Sequence, residues 1–197
     1  MMDKESITQK FGNDCYRANN DTFTMGLHHL LAEHIARRFY GYETILDACS
    51  GAGFMTIALA RNARKVIAVE INPEHIEQAK INAKIAHVES KIVFILGDIL
   101  DNKVLNRIGN IDGAFLDPDW AAVENEKSTH VSKLSNMQPP GDRLFAKIFK
   151  KTKNVCLRLP KEIDLANLQE LPPHELEKIY LDKDFKFYCA YFGKLAK

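Results

Sequence analysis

Short apolar runs recur along the chain, and each one is bounded by polar residues or by glycine. Runs of this length and composition are typical of strands that are buried on both faces of a parallel sheet. Four of them occupy residues 44–48, 66–69, 92–96 and 113–116. The pattern therefore predicts a sheet built from short, widely separated strands.

Helical patterns precede and separate these strands. Before the first strand, apolar residues recur at every fourth position, namely Leu27, Leu31, Ile35 and Phe39. This spacing predicts an amphipathic helix that ends before Gly41. Further helices are predicted over residues 54–63 and from Asn72-Pro73, where a capping residue precedes a proline at the first helical position. Strands that alternate with helices predict an α/β fold of the doubly wound, Rossmann-like type.

The last part of the chain has a different pattern. Residues 154–159 predict one more buried strand, and residues 176–181 and 185–192 alternate between apolar and polar positions. The short polar link 182–184 joins the last two segments, as expected of an antiparallel hairpin. The complete prediction is a mostly parallel seven-stranded sheet with a C-terminal antiparallel hairpin and helices on both faces.

The domain organisation is predicted to be simple. The chain has 197 residues, of which 46% are hydrophobic, which suits one globular domain over residues 23–197. Residues 1–22 lack apolar periodicity and predict an N-terminal loop, tail or lid that orders against another part of the protein. Residues 123–138 are polar and weakly patterned, and they are interpreted as a loop over the site.

Charge and cysteine content narrow the functional classes. The formal net charge is +1, so any nucleic-acid contact must depend on a local patch. Five basic residues that follow the proline turn either contact an RNA backbone or form a solvated helix face: Arg143, Lys147, Lys150, Lys151 and Lys153. The four cysteines lie far apart without a CxxC pair, which argues against zinc and against a disulfide framework. We expect no metal and a soluble, cytoplasmic protein, since no apolar stretch is long enough for a membrane span.

The strongest chemical signal is a glycine-containing turn between the first strand and the next helix. Gly51 and Gly53 let the backbone turn tightly and approach a ligand. Three acidic residues follow successive strands at the edge where such sheets bind ligands: Asp47, Glu70 and Asp98. The predicted cofactor-binding residues are Asp47, Ser50, Gly51, Gly53, Glu70, Ile71, Asp98 and Ile99.

The spacing of the glycines distinguishes between two nucleotide cofactors. A dinucleotide-binding loop needs a third glycine for close packing of its helix, and Thr56 occupies that position here. This difference favours S-adenosylmethionine (SAM) over NAD. A carboxylate at Glu70 suits the ribose hydroxyls of either cofactor.

The fourth strand ends in a polar turn, Asp117-Pro118-Asp119-Trp120. Methyl transfer to an aromatic amine needs an acceptor for the hydrogens of the amine and a flat surface that holds the base. Asp117 and Trp120 are therefore the predicted catalytic residues, with Pro118, Asp119 and Trp120 as substrate-binding residues. The alternative is that Asp-Pro forms an ordinary turn and Trp120 is a core aromatic residue.

Taken together, these motifs resemble class I SAM-dependent methyltransferases, most closely the trimethylguanosine synthase family of RNA cap guanine-N2 methyltransferases. The resemblance rests on residues 29–36, 47–53, 69–73, 97–98, 115–120, 159–161 and 190–193. It implies SAM as the methyl donor and an aromatic residue, Trp120, that stacks on a methylated guanine. Two departures are visible: Asp119 replaces the second proline of the family, and Ala121-Ala122 follow where the family has paired glycines.

The leading hypothesis is N-methylation of an exocyclic amine of an RNA base, similar to guanine N2, with RNA or a nucleotide as the partner. One alternative is a binding module with the methyltransferase fold that no longer transfers methyl groups. Another is a methyltransferase for small molecules or proteins, because the same fold supports all of these substrates.

Overall fold

The computed structural model describes residues 3–120 and 131–197 and forms two compact units. The first unit extends to Asp112, and the second begins at Gly113. The two units do not follow the predicted division into a tail of residues 1–22 and a domain of residues 23–197. That division stays a prediction.

The first unit contains three parallel strands in the order β3-β2-β1. Its elements are α1 (Lys4–Phe11), α2 (Asn20–Met25), α3 (His29–Ala36), β1 (Thr44–Ala48), α4 (Phe54–Asn62), β2 (Lys65–Glu70), α5 (Pro73–Ile85), β3 (Ile92–Leu96) and α6 (Asn102–Ile108). In register, Ala48 lies beside Val69, and Glu70 lies beside Leu96. The carboxyl ends of these strands therefore carry the predicted cofactor residues.

The second unit contains the remaining strands in the order β4-β5-β7-β6. Its elements are β4 (Gly113–Leu116), α7 (Gly141–Ile148), β5 (Val155–Pro160), β6 (His174–Leu181) and β7 (Asp184–Phe192). β4 and β5 are parallel, whereas β7 runs antiparallel to both β5 and β6. Leu144, Leu157 and Phe192 are fully buried and form part of the core of this unit.

The predicted fold class is confirmed: the sheet is seven-stranded and mostly parallel, with an antiparallel C-terminal hairpin. The predicted strands match the observed ones to within two residues at each end. The helix predicted from Leu27 starts at His29 and closes in a 3-10 turn, Arg37–Phe39. Helix α6 was not predicted, because its seven residues are too few to show a clear helical period.

The N-terminal segment contains two short helices, α1 and α2, where the sequence predicted a loop or a tail. α1 is capped by Asp3, whose Oδ1 accepts a hydrogen bond from Ser6 N at 2.8 Å, and it buries Ile7 and Phe11. α2 begins with a capping box between Asn19 and Thr22. Both helices are too short to show a helical period in the sequence. In α1, for example, the pattern consists of two apolar residues four positions apart. Whether the segment acts as a lid stays a prediction.

Asn82 joins this segment to the rest of the first unit. Its side chain on α5 is fully buried; Oδ1 accepts from Arg17 N at 2.7 Å, and Nδ2 donates to Arg17 O at 2.9 Å. Nδ2 also donates to Ala52 O at 2.9 Å. Because Ala52 belongs to the glycine turn, one amide fixes both the N-terminal segment and the predicted cofactor loop.

The predicted loop over residues 123–138 falls partly outside the described residues, since 121–130 are not among them. Its described part contains a short 3-10 turn, Leu134–Asn136. Within the described ranges, the helices are all too short or too polar to cross a membrane. The cytoplasmic location stays a prediction.

Replacement of Asn82 by alanine is expected to lower the free energy of unfolding by about 3 kcal/mol, because it removes the hydrogen bonds that this buried amide makes to the backbone of Arg17 and Ala52. Chemical denaturation measures the loss, and hydrogen exchange should show faster exchange over residues 14–19. Asn62→Ala is the matched control, since its Nδ2 donates only to Ala58 O within α4 among the contacts described here. Equal losses in the two variants would contradict the role assigned to Asn82.

Candidate cofactor and acceptor sites

The glycine turn between β1 and α4 is held in an unusual backbone conformation. Cys49, Gly51 and Gly53 have φ angles of 67°, 53° and 83°. Ser50 N donates to Val69 O at 3.0 Å, and Gly53 N donates to Ser50 O at 2.9 Å. The first bond attaches the turn to β2, and the second closes the turn on itself.

The two glycines meet different requirements. A Cβ atom at Gly53 would lie 2.9 Å from Ala79 Cβ, so this glycine permits the close packing of the turn against α5. A Cβ atom at Gly51 would meet no described atom within 4 Å. Gly51 therefore leaves room for a ligand to approach the backbone, as expected of a nucleotide-binding loop.

Glu70 links the turn to the end of β2. Its Oε2 accepts a hydrogen bond from Gly51 N at 2.8 Å, and its Oε1 accepts from Ile71 N at 3.0 Å and Asn72 N at 2.9 Å. The residue is only 7% exposed. Three backbone donors fix the carboxylate in place, and its remaining lone pairs can accept ribose hydroxyls.

Asp47 is almost fully buried near the end of β1, and its Oδ2 accepts a hydrogen bond from Thr56 Oγ1 at 2.5 Å. Thr56 lies on the first turn of α4, at the position where a dinucleotide-binding fold would have its third glycine. The threonine thus holds the carboxylate of Asp47 in place. A glycine there would remove the hydroxyl that does so.

The remaining predicted cofactor residues occupy the neighbouring strand ends. Asp98 is exposed, and its Oδ1 accepts from Leu100 N at 2.8 Å. Gly97 N donates to Glu70 O at 2.9 Å, which brings the turn after β3 next to the end of β2. Ile71 is 67% exposed, whereas Ile99 is buried. The exposed Ile71 offers an apolar surface beside Glu70, as suits the flat face of an adenine ring.

The residues at these strand ends fit SAM. Gly51 leaves open space, Glu70 can accept hydroxyl groups, and Ser50 Oγ is buried without a hydrogen-bond partner among the described residues. A ligand with polar groups at this position would satisfy that hydroxyl. The individual residue assignments stay predictions.

In the second unit, the turn after β4 carries a buried ion pair. Asp117 Oδ2 accepts a hydrogen bond from Arg158 Nη1 at 2.7 Å, and the two side chains are 19% and 12% exposed. Burial raises the pKa of the Asp117 carboxyl, as does the nearby charge of Asp119, while the guanidinium of Arg158 opposes the rise. Arg158 therefore stabilises the ionised form of Asp117, whereas burial and the charge of Asp119 favour its protonated form.

Arg158 also contacts the aromatic ring of Trp120. Its Cζ lies 4.3 Å from the ring centroid of Trp120 and 4.6 Å from that of Phe187. The guanidinium thus contacts both rings, whose centroids are 6.3 Å apart. Trp120 is half-buried, and its Nε1 has no hydrogen-bond partner among the described residues. Arg158 therefore covers part of the ring of Trp120.

The backbone of the turn is fixed as well. Asp119 N donates to Gln138 O at 2.7 Å, and Gln138 N donates back to Asp119 O at 3.0 Å. Pro118 is buried. The structure thus brings Asp117 and Trp120 together around Arg158, with Asp119 between them in sequence. Ala121 and Ala122, which stand where the family has paired glycines, lie outside the described residues.

Sequence reasoning missed Arg158 and Thr56. Arg158 is the one charged residue in the apolar strand β5, and a charge in a buried strand requires a partner. That signal was available, although it could not identify Asp117 as the partner. The hydroxyl of Thr56 had no sequence signal that connected it to Asp47, nine positions earlier.

Three comparisons with known proteins agree with this description. A sequence profile of the RNA cap guanine-N2 methyltransferase family matches residues 42–195. An uncharacterised RNA methyltransferase of Bacteroides thetaiotaomicron is 33% identical over 97 residues, which cover 47% of this chain and 21% of that protein. The tRNA (guanine(37)-N(1))-methyltransferase Trm5b of Methanocaldococcus jannaschii is 30% identical over 110 residues, 53% of this chain and 32% of that protein.

Solved structures show the same fold. A provisionally assigned methyltransferase from Porphyromonas gingivalis W83 has a TM-score of 0.79 at 20% identity, over 95% of this chain and 47% of that chain. TrmK of M. capricolum, solved with S-adenosylhomocysteine, has a TM-score of 0.56 at 17% identity, over 83% of this chain and 67% of that chain. The chain spans a fifth to a third of the length of the two curated relatives named above.

The fold and the family profile define a class I methyltransferase. The chain belongs to the RNA cap guanine-N2 methyltransferase family, because the matched residues make up more than three quarters of its length. Membership confirms the family resemblance, the methyltransferase class and SAM as the cofactor. Within the described residues, no group of three or more His, Cys, Asp or Glu side chains is arranged to hold a metal ion.

Glu70→Gln is expected to weaken SAM binding at least about tenfold, because an amide loses a charged acceptor and presents an N–H group to the backbone donors. Isothermal titration calorimetry with SAM and S-adenosylhomocysteine measures the effect. Glu77→Gln is the matched control on exposed α5 surface. If both variants bind SAM as tightly as the unmodified protein, Glu70 does not hold the cofactor.

Arg158→Met is expected to lower the free energy of unfolding by about 3 kcal/mol at neutral pH, because it leaves the buried carboxylate of Asp117 without its cation. The loss should shrink as the pH falls. A raised pKa in the folded state means that the folded protein binds the proton more tightly, so stability is present at low pH and is lost as the pH rises.

Denaturation curves of the Arg158 variant at acid and neutral pH test this expectation. Arg158→Lys keeps the charge and should retain most of the stability, and the double variant Arg158→Met/Asp117→Asn should recover part of it. A loss that does not depend on pH would show that Arg158 contributes through packing rather than through the charge of Asp117.

Proposed function

We propose that the protein transfers a methyl group from SAM to an exocyclic amine of an RNA base, with guanine N2 as the leading acceptor, in the cytoplasm. The RNA relatives and the family profile support RNA as the substrate class. The choice of base and of nitrogen rests on the chemistry of the turn after β4.

One observation carries the proposal: Arg158 holds the carboxylate of Asp117 and one face of Trp120 in the same place. A base that stacks on the ring of Trp120 would enter the turn that also carries Asp117, whose carboxylate is the candidate acceptor for hydrogen bonds from an exocyclic amine. Lone pairs remain on this carboxylate, because Arg158 Nη1 engages only Oδ2.

When bound, SAM supplies an electrophilic methyl group on a sulfonium. Glu70, Gly51 and Asp47 would hold SAM, and its methyl group would pass from the sulfonium to the nitrogen lone pair of the acceptor, with S-adenosylhomocysteine as the other product. Asp117 orients the amine by accepting a hydrogen bond from it, and Trp120 limits the tilt of the base. The methylated nitrogen becomes acidic and releases a proton, which a carboxylate with a raised pKa is well suited to accept.

A covalent route to a ring carbon is less consistent with this turn. One similar protein is described as a tRNA (uracil-5-)-methyltransferase homolog. Attack on a pyrimidine ring would need a nucleophilic thiolate near the base. The two cysteines of the second unit, Cys156 and Cys189, are fully buried within β5 and β7. Amine methylation needs only the acceptor groups that the turn provides.

The second candidate is a binding module without turnover. Asp119 favours it, because this residue replaces a family proline and its charge contributes to the raised pKa of Asp117. A protonated Asp117 would be a weaker acceptor for the hydrogens of the amine. Both candidates require SAM or RNA to bind, and only the first requires methyl transfer.

The test incubates the full chain with methyl-labelled SAM and an unmodified tRNA transcript, followed by mass spectrometry of the nucleosides. N2-methylguanosine is the expected product. Asp117→Asn should lower kcat by about a hundredfold, because the amide cannot accept the proton. Trp120→Ala should raise KM for RNA about tenfold, because it removes the stacking surface.

Tyr180→Ala is the control, an aromatic residue of the same unit that is 50% exposed on β6. Methyl transfer to adenine N6 alone would contradict guanine as the acceptor base but would support an exocyclic amine as the acceptor group. SAM and RNA binding without any transfer would favour the binding module. Transfer to a guanine ring nitrogen or a uracil carbon would reject the assignment of Asp117.

A further inference from the structure

Charge is distributed unevenly along the chain. Residues 143–161 contain seven of the 27 lysine and arginine residues and none of the 26 aspartate and glutamate residues. The remainder of the chain therefore has 20 basic and 26 acidic residues. The formal charge of +1 conceals a strongly basic stretch within an acidic protein.

The fold turns most of this stretch into one exposed surface. Helix α7 buries Leu144, Phe145 and Ile148. Its other side and the following turn carry the basic residues, of which all are exposed except the half-buried Lys147. The surface, here called the basic track, consists of Arg143, Lys147, Lys150, Lys151, Lys153 and Lys194.

Lys194 joins the track from the end of the chain. Lys194 N donates to Asn154 Oδ1 at 2.8 Å, which fixes the C-terminal turn beside Lys153. Gly193 has φ 64°, and a Cβ atom there would lie 2.5 Å from Lys153 O. The two lysines are therefore brought together by a backbone contact between segments that are 40 residues apart. Sequence spacing alone does not reveal this grouping.

The track begins next to the acceptor turn of the same unit. Gln138 pairs with Asp119, and α7 starts three residues later at Gly141. The helix is about 12 Å long and leads to the start of β5. The acidic residue at its beginning, Asp142, accepts a hydrogen bond at Oδ1 from Arg143 N at 2.7 Å. A chain of phosphates could follow the basic residues away from the turn that holds Trp120.

We infer that the basic track binds the sugar-phosphate backbone of the RNA whose base enters the acceptor turn. This inference rests on the proposed function. It favours RNA over an acidic polypeptide because the track starts beside the turn that offers a stacking surface for a base. Such contacts position the substrate and carry no sequence information. They release counterions, so their contribution falls as salt rises.

The test compares Lys150→Glu/Lys151→Glu with Lys183→Glu/Lys186→Glu, a pair of exposed lysines in the β6–β7 hairpin. Both variants change the net charge equally. A labelled tRNA transcript is titrated at several salt concentrations. The track variant should bind at least about tenfold more weakly, and the salt dependence of log Kd should fall by about 2. The hairpin variant should stay within about twofold of the unmodified protein.

Further measurements separate this inference from the proposed function. SAM titration of the track variant should match the unmodified protein, and its KM for RNA should rise while kcat is retained. Methyl transfer to guanosine monophosphate should be unchanged, because that acceptor does not reach the track. Equal weakening in both variants, or none in either, would overturn the inference. Equal competition by polyglutamate would assign the track to acidic polypeptides and would also overturn it.

Discussion

The carboxylate of Glu70 is the contact on which the cofactor side of the structure depends. It accepts hydrogen bonds from Gly51, Ile71 and Asn72, so one side chain joins the glycine turn after β1 to the turn after β2. Without it, several backbone N–H groups at the carboxyl edge of the sheet would have to find other acceptors. The same group that shapes the turn is the one predicted to bind the ribose of the cofactor. Shape and recognition therefore cannot be changed independently at this position.

The acceptor side follows a different principle. Here a cation, Arg158, lies between an acid and two rings, and the pieces of the site are held by attraction to one buried charge. A buried ion pair adds little to stability when it is compared with well-packed apolar residues, but it fixes geometry in a way that apolar contacts do not. Asp117 and Trp120 keep their relative position because both contact the same guanidinium.

The strands and the glycine turn were predictable because they depend on local features: apolar runs of fixed length, punctuating glycines, and acids at strand ends. The helices at the N-terminus were not, since α1 shows only Ile7 and Phe11 as apolar positions and its order comes from tertiary contacts such as those of Asn82. The turn after β4 was singled out from its composition. Its organising residue, Arg158, was not, because the pairing with Asp117 connects positions 41 residues apart.

Trp120 is the single tryptophan of the chain, and it lies against a guanidinium in the turn that the acceptor base is proposed to enter. Indole emission is sensitive to neighbouring charges and to stacked rings. The tryptophan emission of the protein therefore arises at one place. A change in the emission of Trp120 can therefore report the entry of a ligand into the acceptor turn in real time and without a label.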